Sequence, residues 1–434
     1  MKVDVVQAGN SLEFKFGIEK DDKITPSEKF RMGSKKCEFI LPDNVTIDSI
    51  HPDHLALVSI MLSFPFIGKK LSFPFPVSKR FHKSTEVITK FSTGPVDIEL
   101  EPFASPEVSN PGLALSGGVD SIAALAIMPK NTVSFFLDRP IRKRSLYDKD
   151  AAHKTCKELL KLGYDVFSIE TDLEYIRNPV GFPVDVANSS PAVLLAKSLS
   201  IDSIAFGTIM ESAYGIGHSK YRHYPEGSHF SLWGSLFEGA GIPLNQVVAG
   251  MSEVSTSKIT IDHPLGKLAQ SCIRGKWKKP CLNCWKCFRK VLLEASIKSE
   301  KLLDEEIDKM FKIPEARINL CKFPIKHENI LTYITSKYQG RNSNMKLLRK
   351  RVRGDLLSLD WLEKWNPESE SLIYHKYRNE IIGNIKKLLR VMDENEVKTM
   401  KSWDMSDMLN DSKFIKLDEL MNKEFSKKFR LSFD

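Results

Sequence analysis

Ser116-Gly117-Gly118-Val119-Asp120-Ser121 stands between a short apolar run and a helical pattern. At such a place an α/β sheet turns backbone N–H groups and the positive end of a helix dipole toward an anion. Two glycines let a phosphate approach the chain, the hydroxyls of Ser116 and Ser121 can donate to it, and consecutive turn amides form a concave nest. No lysine follows the glycines. A Walker loop needs Gly-Lys-Ser/Thr to hold the β- and γ-phosphates, so γ-phosphoryl transfer is not expected at this turn, whose nest of amides matches a pyrophosphate. Asp120 could orient the loop or hold Mg²⁺. Asp138 closes the next apolar run at the sheet's carboxyl edge, where the adenine or ribose of a nucleotide lies.

A second constellation is Cys272-x8-Cys281-x2-Cys284-x2-Cys287, four of the seven cysteines within sixteen residues. Two consecutive x2 spacings suit a tight knuckle, and Gly275 with Pro280 bends the chain back toward it. Tetrahedral Zn²⁺ with all four positions filled is the expected occupant, a structural site with no open position; an iron–sulfur cluster is the alternative. Cys37, Cys156 and Cys321 stand alone and read as core residues. His51-x2-His54 has helical spacing but too few neighbouring ligands for a zinc site.

These residues need a frame. From Leu113 to Gly250 short β-rich runs alternate with helical patterns, the signature of βαβ units around a parallel sheet. Strands are expected at 112–115, 132–137, 165–169, 203–206 and 247–249. The helices between them are expected at 121–128, 150–162, 189–199 and 230–240, with Ser189-Ser190-Pro191 as N-cap and first-turn proline. Residues 1–108 read as a separate α+β region, with strand-like runs at 3–6 and 37–41 and an apolar stretch of helical length at 55–66. Pro95, Pro102, Pro106 and Pro111 mark the passage between them. The expected division is 1–108, 109–290 with the knuckle at 272–287, and a helical region over 291–434.

The chain has 434 residues, 42% apolar and 27% charged, with no apolar run of about eighteen, which excludes a spanning helix and disorder alike. The first residues lack a signal-peptide pattern, so a cytoplasmic protein without membrane contact is expected. A net charge of +9 over this length does not by itself make a nucleic-acid binder. Arg341, Lys346, Arg349, Lys350, Arg351 and Arg353 form a basic run without an acid among them. It reads as a solvated helix face or the docking site of an acidic partner before it reads as a nucleic-acid contact.

SGGVDS matches the PP-loop of ATP pyrophosphatases. A PP-loop followed about 150 residues later by Ser-Cys-x8-Cys-x2-Cys-x2-Cys resembles the 7-cyano-7-deazaguanine synthase (QueC) family. The similarity covers roughly 113–290. Asn188 followed by SPAVLLAKSLSIDSIAFGT, ending at Gly207, looks like that family's asparagine, helix and glycine-ended strand, and 207–222 occupies its substrate loop. Ser257-Lys258-Ile259 looks like its Thr-Lys-Glu-Ile segment, whose lysine could reach a phosphate.

The resemblance implies a doubly wound parallel sheet of HUP type and a structural zinc. It also implies an enzyme that uses ATP and Mg²⁺ to adenylate the carboxylate of 7-carboxy-7-deazaguanine and couple it to nitrogen. The chain departs from the family in about 110 residues before this core, about 140 after it, and a longer loop at 210–226. QueC-like proteins with extra regions occur in bacterial anti-phage defence operons, where a deazaguanine can be coupled to a protein amine. Flanks that select a protein partner suit that role. In the loop, Lys220 and Arg222 are the candidates for phosphate or carboxylate pairing, ahead of His218 or His223 as a base. Glu211 lies in the same loop. Tyr214 could stack on a purine-like ring, whereas Phe182 reads first as a core residue. Two other readings stand beside this one: a PP-loop enzyme of tRNA modification, and a catalytically silent nucleotide-binding subunit of a defence complex.

Overall fold

The computed structural model describes residues 1–141, 147–217 and 219–426, and within them two periodicities generate a mixed α/β architecture. Period-two alternation builds the first sheet. β1 (Lys2–Ala8) and β2 (Ser11–Gly17) form a hairpin with Lys2 opposite Gly17, and Val3, Val5, Leu12, Phe14 and Phe16 all fall on its buried face. β3 (Arg31–Met32) is a short strand that pairs with β10 (Arg177–Asn178). β4 (Lys36–Ile40) joins β2, while β5 (Lys70–Ser78) and β6 (Ser92–Asp97) extend the other side, giving the order β4-β2-β1-β5-β6. Pro74 and Pro76 supply no N–H, and the β5–β6 ladder is broken between Ser72 and Val77.

α1 (Pro52–Ser63) is apolar on every side and wholly buried after its first residue. It is packed between β5 and α5 (Ser190–Leu194), so one core runs from the first sheet into the second. α2 (Lys79–Thr85) follows β5.

The second sheet consists of β7 (Asn110–Leu115), β8 (Val133–Asp138), β9 (Asp165–Glu170), β11 (Ile201–Ala205) and β12 (Leu244–Asn245), in the order β12-β11-β7-β8-β9. Every neighbouring pair is parallel. Parallel strands need crossovers, supplied here by α3 (Val119–Ile127), α4 (Lys149–Lys161), α5, α6 (Met210–Ala213) and α7 (Ser228–Gly239). Ala114, Val133, Phe135 and Ile204 share a core with α5 and α7, whereas Leu113, Leu115, Phe136 and Ala205 share one with α3 and α4. The sheet is therefore buried on both faces. The order in which strands are added reverses between β7 and β11, which opens a crevice at their carboxyl ends.

Two expected boundaries move. The fifth strand lies at Leu244–Asn245, paired with Ile204 and Ala205, and the apolar Val247–Ala249 sits buried in turns instead. A short apolar run satisfies burial in either conformation, so its pattern cannot place the strand. The helix expected to reach Leu199 ends at Leu194, and Ser200 at φ 51° turns the chain into β11.

Beyond the second sheet the chain is helical: α8 (Glu253–Asp262), α9 (Trp285–Ile297), α10 (Asp304–Phe311), α11 (Pro314–Leu320), α12 (Glu328–Lys337), α13 (Ser343–Arg351), α14 (Arg378–Leu388), α15 (Glu394–Lys401), α16 (Ser406–Asn410) and α17 (Ser412–Ser426). These helices do not stand apart. Trp365, Ile381 and Ile385 share a core with Ile122 and Leu125 of α3, and Asn384 Nδ2 donates to the Ile127 carbonyl at 3.1 Å. Lys376 and Tyr377 reach the buried Asp202 of β11 at 2.8 and 2.7 Å. Among the described residues no helix is long and apolar enough to cross a membrane.

Candidate functional site

The Ser116–Ser121 turn runs from β7 into α3 beside the crevice. Ser116 Oγ accepts from the Gly118 amide at 3.2 Å and lies 3.0 Å from Ser121 Oγ, which in turn accepts from the Ser116 amide at 3.2 Å. Gly117 has φ +71°, a conformation that favours glycine. Its carbonyl accepts from the Gln270 amide at 2.7 Å, which ties the turn to the segment leading into the knuckle. Gly118 is the N-cap of α3 and offers no side chain to the first-turn amides of Val119, Asp120 and Ser121. Those donors are the ones an anion takes up at a helix start. Gly207 follows β11, and a Cβ there would lie 3.2 Å from the Ser121 amide, so the two strand ends meet across the crevice at backbone distance.

Asp120 Oδ1 accepts from Thr256 Oγ1 of α8 at 2.7 Å. Lys258 is two residues on, about 200° round the helix, and its Nζ pairs with Glu363 Oε2 at 2.9 Å. Lys290 of α9 binds Ser257 Oγ at 3.0 Å and Glu253 Oε1 at 3.1 Å. One turn earlier on α9 stands Lys286, whose pKa burial pulls down and the Asp120 carboxylate pulls back up. Among the described residues the Lys286 ammonium has no hydrogen-bond or ion-pair partner.

A cavity of about 200 Å³ opens beside the turn at the carboxyl ends of β7 and β8. Ser116, Leu137, Arg139, Phe182, Asn188 and Ile273 are among its walls. Phe182 thus faces a cavity, and Asn188 Oδ1 is buried there without a partner among the described residues. Arg139 is paired with Glu174 at 2.7 Å. Asp138 points elsewhere, with Lys149 Nζ at 3.1 Å and His153 Nε2 at 2.9 Å from its carboxylate.

The four knuckle cysteines converge. Their sulfurs all lie within 4.8 Å of one another, and Cys281 and Cys287 are 3.8 Å apart, close to the edge of about 3.8 Å expected of a tetrahedron with Zn–S bonds of ~2.3 Å. Backbone amides of Cys281, Asn283 and Cys287 donate to Cys272, Cys281 and Cys284 Sγ, each at 3.4 Å. Amides aimed at sulfur are the outer support a thiolate–metal centre uses. The donor set fits a metal such as zinc, and Cys284 also caps α9.

The 210–226 loop separates the residues grouped by sequence. Arg222 turns back on its own loop, donating to the carbonyls of Ala213, at 2.8 Å, and Ser212. Lys220 is exposed, and its backbone pairs with that of Asp404 near α16 as an isolated antiparallel β-bridge. His223 sits 3.4 Å from Glu226; His218 lies outside the described residues. Tyr214 is buried and stacked on Tyr221. Glu211 is buried beneath them, accepting from the Glu253 amide at 3.1 Å and from Asn329 Nδ2 at 2.8 Å. Burial, then the nearby Glu253 carboxylate, push Glu211 up to about 7. Glu253 goes the other way. Burial alone would raise it, but Arg289 at 2.7 Å, Lys290 and His327 hold its carboxyl far below the ordinary range. This network joins α6, α8, α9 and α12 in one buried polar layer.

The basic run at 341–353 is only partly a solvated face. Arg341, Lys346 and Lys350 are exposed. Arg351 is fully buried, 3.5 Å from Glu328 and 3.6 Å from Asp418, over the ring of Phe323. Arg349 donates to the Tyr338 carbonyl at 3.2 Å, and Arg353 stacks on Trp403. His54 is likewise internal, 3.1 Å from the Ala240 carbonyl, with burial pulling its pKa down to about 3.

Residues 232–404 match the model of a family described as a family of unknown function (DUF6395). The match begins in α7 and takes in the knuckle and most of the C-terminal helices. No curated protein and no solved structure matches the chain.

Thr256, Lys286 and Glu253 were not among the residues singled out from sequence. Helical phase around Ser257 and Lys258 would have pointed to Thr256. Lys286, between two ligand cysteines, carries no signal until α9 is placed.

Proposed function

We propose that the chain is an ATP-dependent adenylating enzyme of the QueC-like PP-loop type, with a sheet of the HUP kind and a structural zinc in the Cys272, Cys281, Cys284 and Cys287 knuckle. The observation that carries this reading is the SGGVDS turn at the reversal of strand order, its first-turn amides without a side-chain cap and Gly207 closing the crevice opposite. The cavity beside Ser116 is of a size and character for a heterocycle.

In this reading a substrate carboxylate oxygen attacks the α-phosphorus of ATP and the bond to the α–β bridging oxygen breaks. Pyrophosphate leaves with the electron pair, and an acyl adenylate remains. Nitrogen from ammonia or a protein amine then attacks the acyl carbon, AMP departs, and an amide forms. The amides of Val119, Asp120 and Ser121 and the hydroxyls of Ser116 and Ser121 stabilise the charge that gathers on pyrophosphate. Asp120, held by Thr256, orients the turn and is the carboxylate available to Mg²⁺. Arg222 braces the substrate loop through the carbonyls of Ala213 and Ser212.

The test is product analysis after incubation with ATP, Mg²⁺, 7-carboxy-7-deazaguanine and ammonia. AMP and pyrophosphate with an amide or nitrile product are expected. ADP and phosphate, or no turnover with any carboxylated deazaguanine, would sink the reading.

A further inference from the structure

We infer that Lys286, carried by the cysteine knuckle, is the cation that binds the phosphate seated on the SGGVDS turn. This deepens the adenylation reading, on which it rests for the identity of the ligand.

The turn offers amides and hydroxyls but no positive side chain of its own. A polyphosphate placed on it would need one, because neutral donors leave much of its charge unmatched. Among the described residues, the cations around the crevice are engaged, Lys149 with Asp138, Arg139 with Glu174, Lys258 with Glu363, Arg289 and Lys290 with Glu253, and Lys286 is the exception.

Its position follows from the helices. Lys290 fixes α9 against α8 through Ser257, and the neighbouring Thr256 fixes α8 against Asp120. Lys286 precedes Lys290 by four residues, on the same face of α9, so it is carried toward the first turn of α3.

Two physical costs mark Lys286 as more than a filler. A half-buried ammonium without a partner is unfavourable. A lysine in the first turn of a helix also faces the positive end of the dipole. A phosphate between Lys286 and the α3 amides removes the first cost and offsets the second. The knuckle supplies rigidity, because Lys286 stands between Cys284 and Cys287 and a bound metal fixes the backbone on either side of it.

The test measures binding of ATP and of inorganic pyrophosphate by calorimetry to the full-length protein and to Lys286→Met and Lys286→Arg, with metal content and melting curves recorded for each. Lys286→Met should weaken pyrophosphate binding by about tenfold to a hundredfold, the loss of one charge-assisted contact. Lys286→Arg should retain most of the affinity, with metal content unchanged in both. A loss below about tenfold in a folded, metal-loaded Lys286→Met protein overturns the inference. Lack of any ATP or pyrophosphate binding by the unsubstituted protein overturns it together with the adenylation reading. Binding that depends on Lys286, without AMP formation from any carboxylated substrate, leaves the inference standing and removes adenylation alone.

Discussion

Thr256 donates its hydroxyl proton to Asp120 across 2.7 Å, fastening the second residue of the SGGVDS turn's helix-forming half to a helix 136 residues further along the chain. The turn is therefore held from outside itself, and its chemistry should respond to residues that never meet a nucleotide.

Thr256→Val keeps the shape of the side chain and removes the donor. The Asp120 carboxylate is then free to rotate, and pyrophosphate release should fall by about tenfold while stability falls by roughly 1.5–3 kcal/mol, the range for a hydrogen bond to a charged group. Thr256→Ser should restore both. Equal turnover in Thr256→Val and the unsubstituted protein would show that Asp120 needs no orientation.

Ser116 is exposed at the mouth of the turn. Ser116→Ala should lower the rate of pyrophosphate release by about tenfold to a thousandfold, as removal of one transition-state donor does, with little change in melting temperature. A steady-state assay beside a thermal melt separates these outcomes.

The knuckle prediction concerns metal. One zinc per chain is expected, and Cys281→Ser should lower metal content and stability together, since a closed site couples binding to folding. Removing the metal with a chelator should also weaken pyrophosphate binding, because Lys286 loses its anchor. Elemental analysis showing iron, or a metal-free protein of unchanged stability, would contradict this.

Glu211 gives a pH signature. Its folded pKa is raised to about 7, above the ordinary carboxylate value near 4.3. The folded state therefore binds the proton more tightly than the unfolded one between those values, and stability is fully present below about pH 4 and declines as pH rises through about 7. Glu211→Gln should abolish that decline, so the variant gains on the unsubstituted protein as melts are taken from pH 5 to pH 8. A constant difference across that range would refute the assignment.

Arg351 and Lys350 are adjacent yet opposite in consequence. Arg351→Ala leaves Glu328 buried without its partner and should cost about 3–5 kcal/mol, whereas Lys350→Glu on the exposed face should change stability by less than about 0.5 kcal/mol. Chemical denaturation of the two variants measures the contrast.

The basic run also shows what a sequence can carry. Six cations without an acid read as a solvated face, but their compensating partners, Glu328, Asp418 and the ring of Trp403, lie elsewhere in the chain and leave no local trace. The parallel strands were legible because burial on both faces produces unbroken apolar runs, as in β7 and β8. β12 was not, since two paired residues are too few to separate from the buried turn that follows. The first sheet's β5 was hidden by Pro74 and Pro76, which ordinarily argue against a strand. The cysteines were legible from spacing alone, whereas Lys286 and Thr256 depended on how α8 packs on α3 and α9 on α8, a tertiary fact.

The layer that α14 forms over α3 has a further consequence, for the order in which the molecule is built. Asn384 and Ile127, bonded to each other, are 257 residues apart, so the helix that follows the SGGVDS turn emerges from synthesis long before its outer cover. Ile122 and Leu125 must meanwhile stay unpaired with Ile381 and Ile385, a long-range closure that slows folding and leaves apolar surface open to aggregation. A nascent chain arrested before α14 should engage chaperones, and the turn should acquire its final rigidity only as one of the last events of folding.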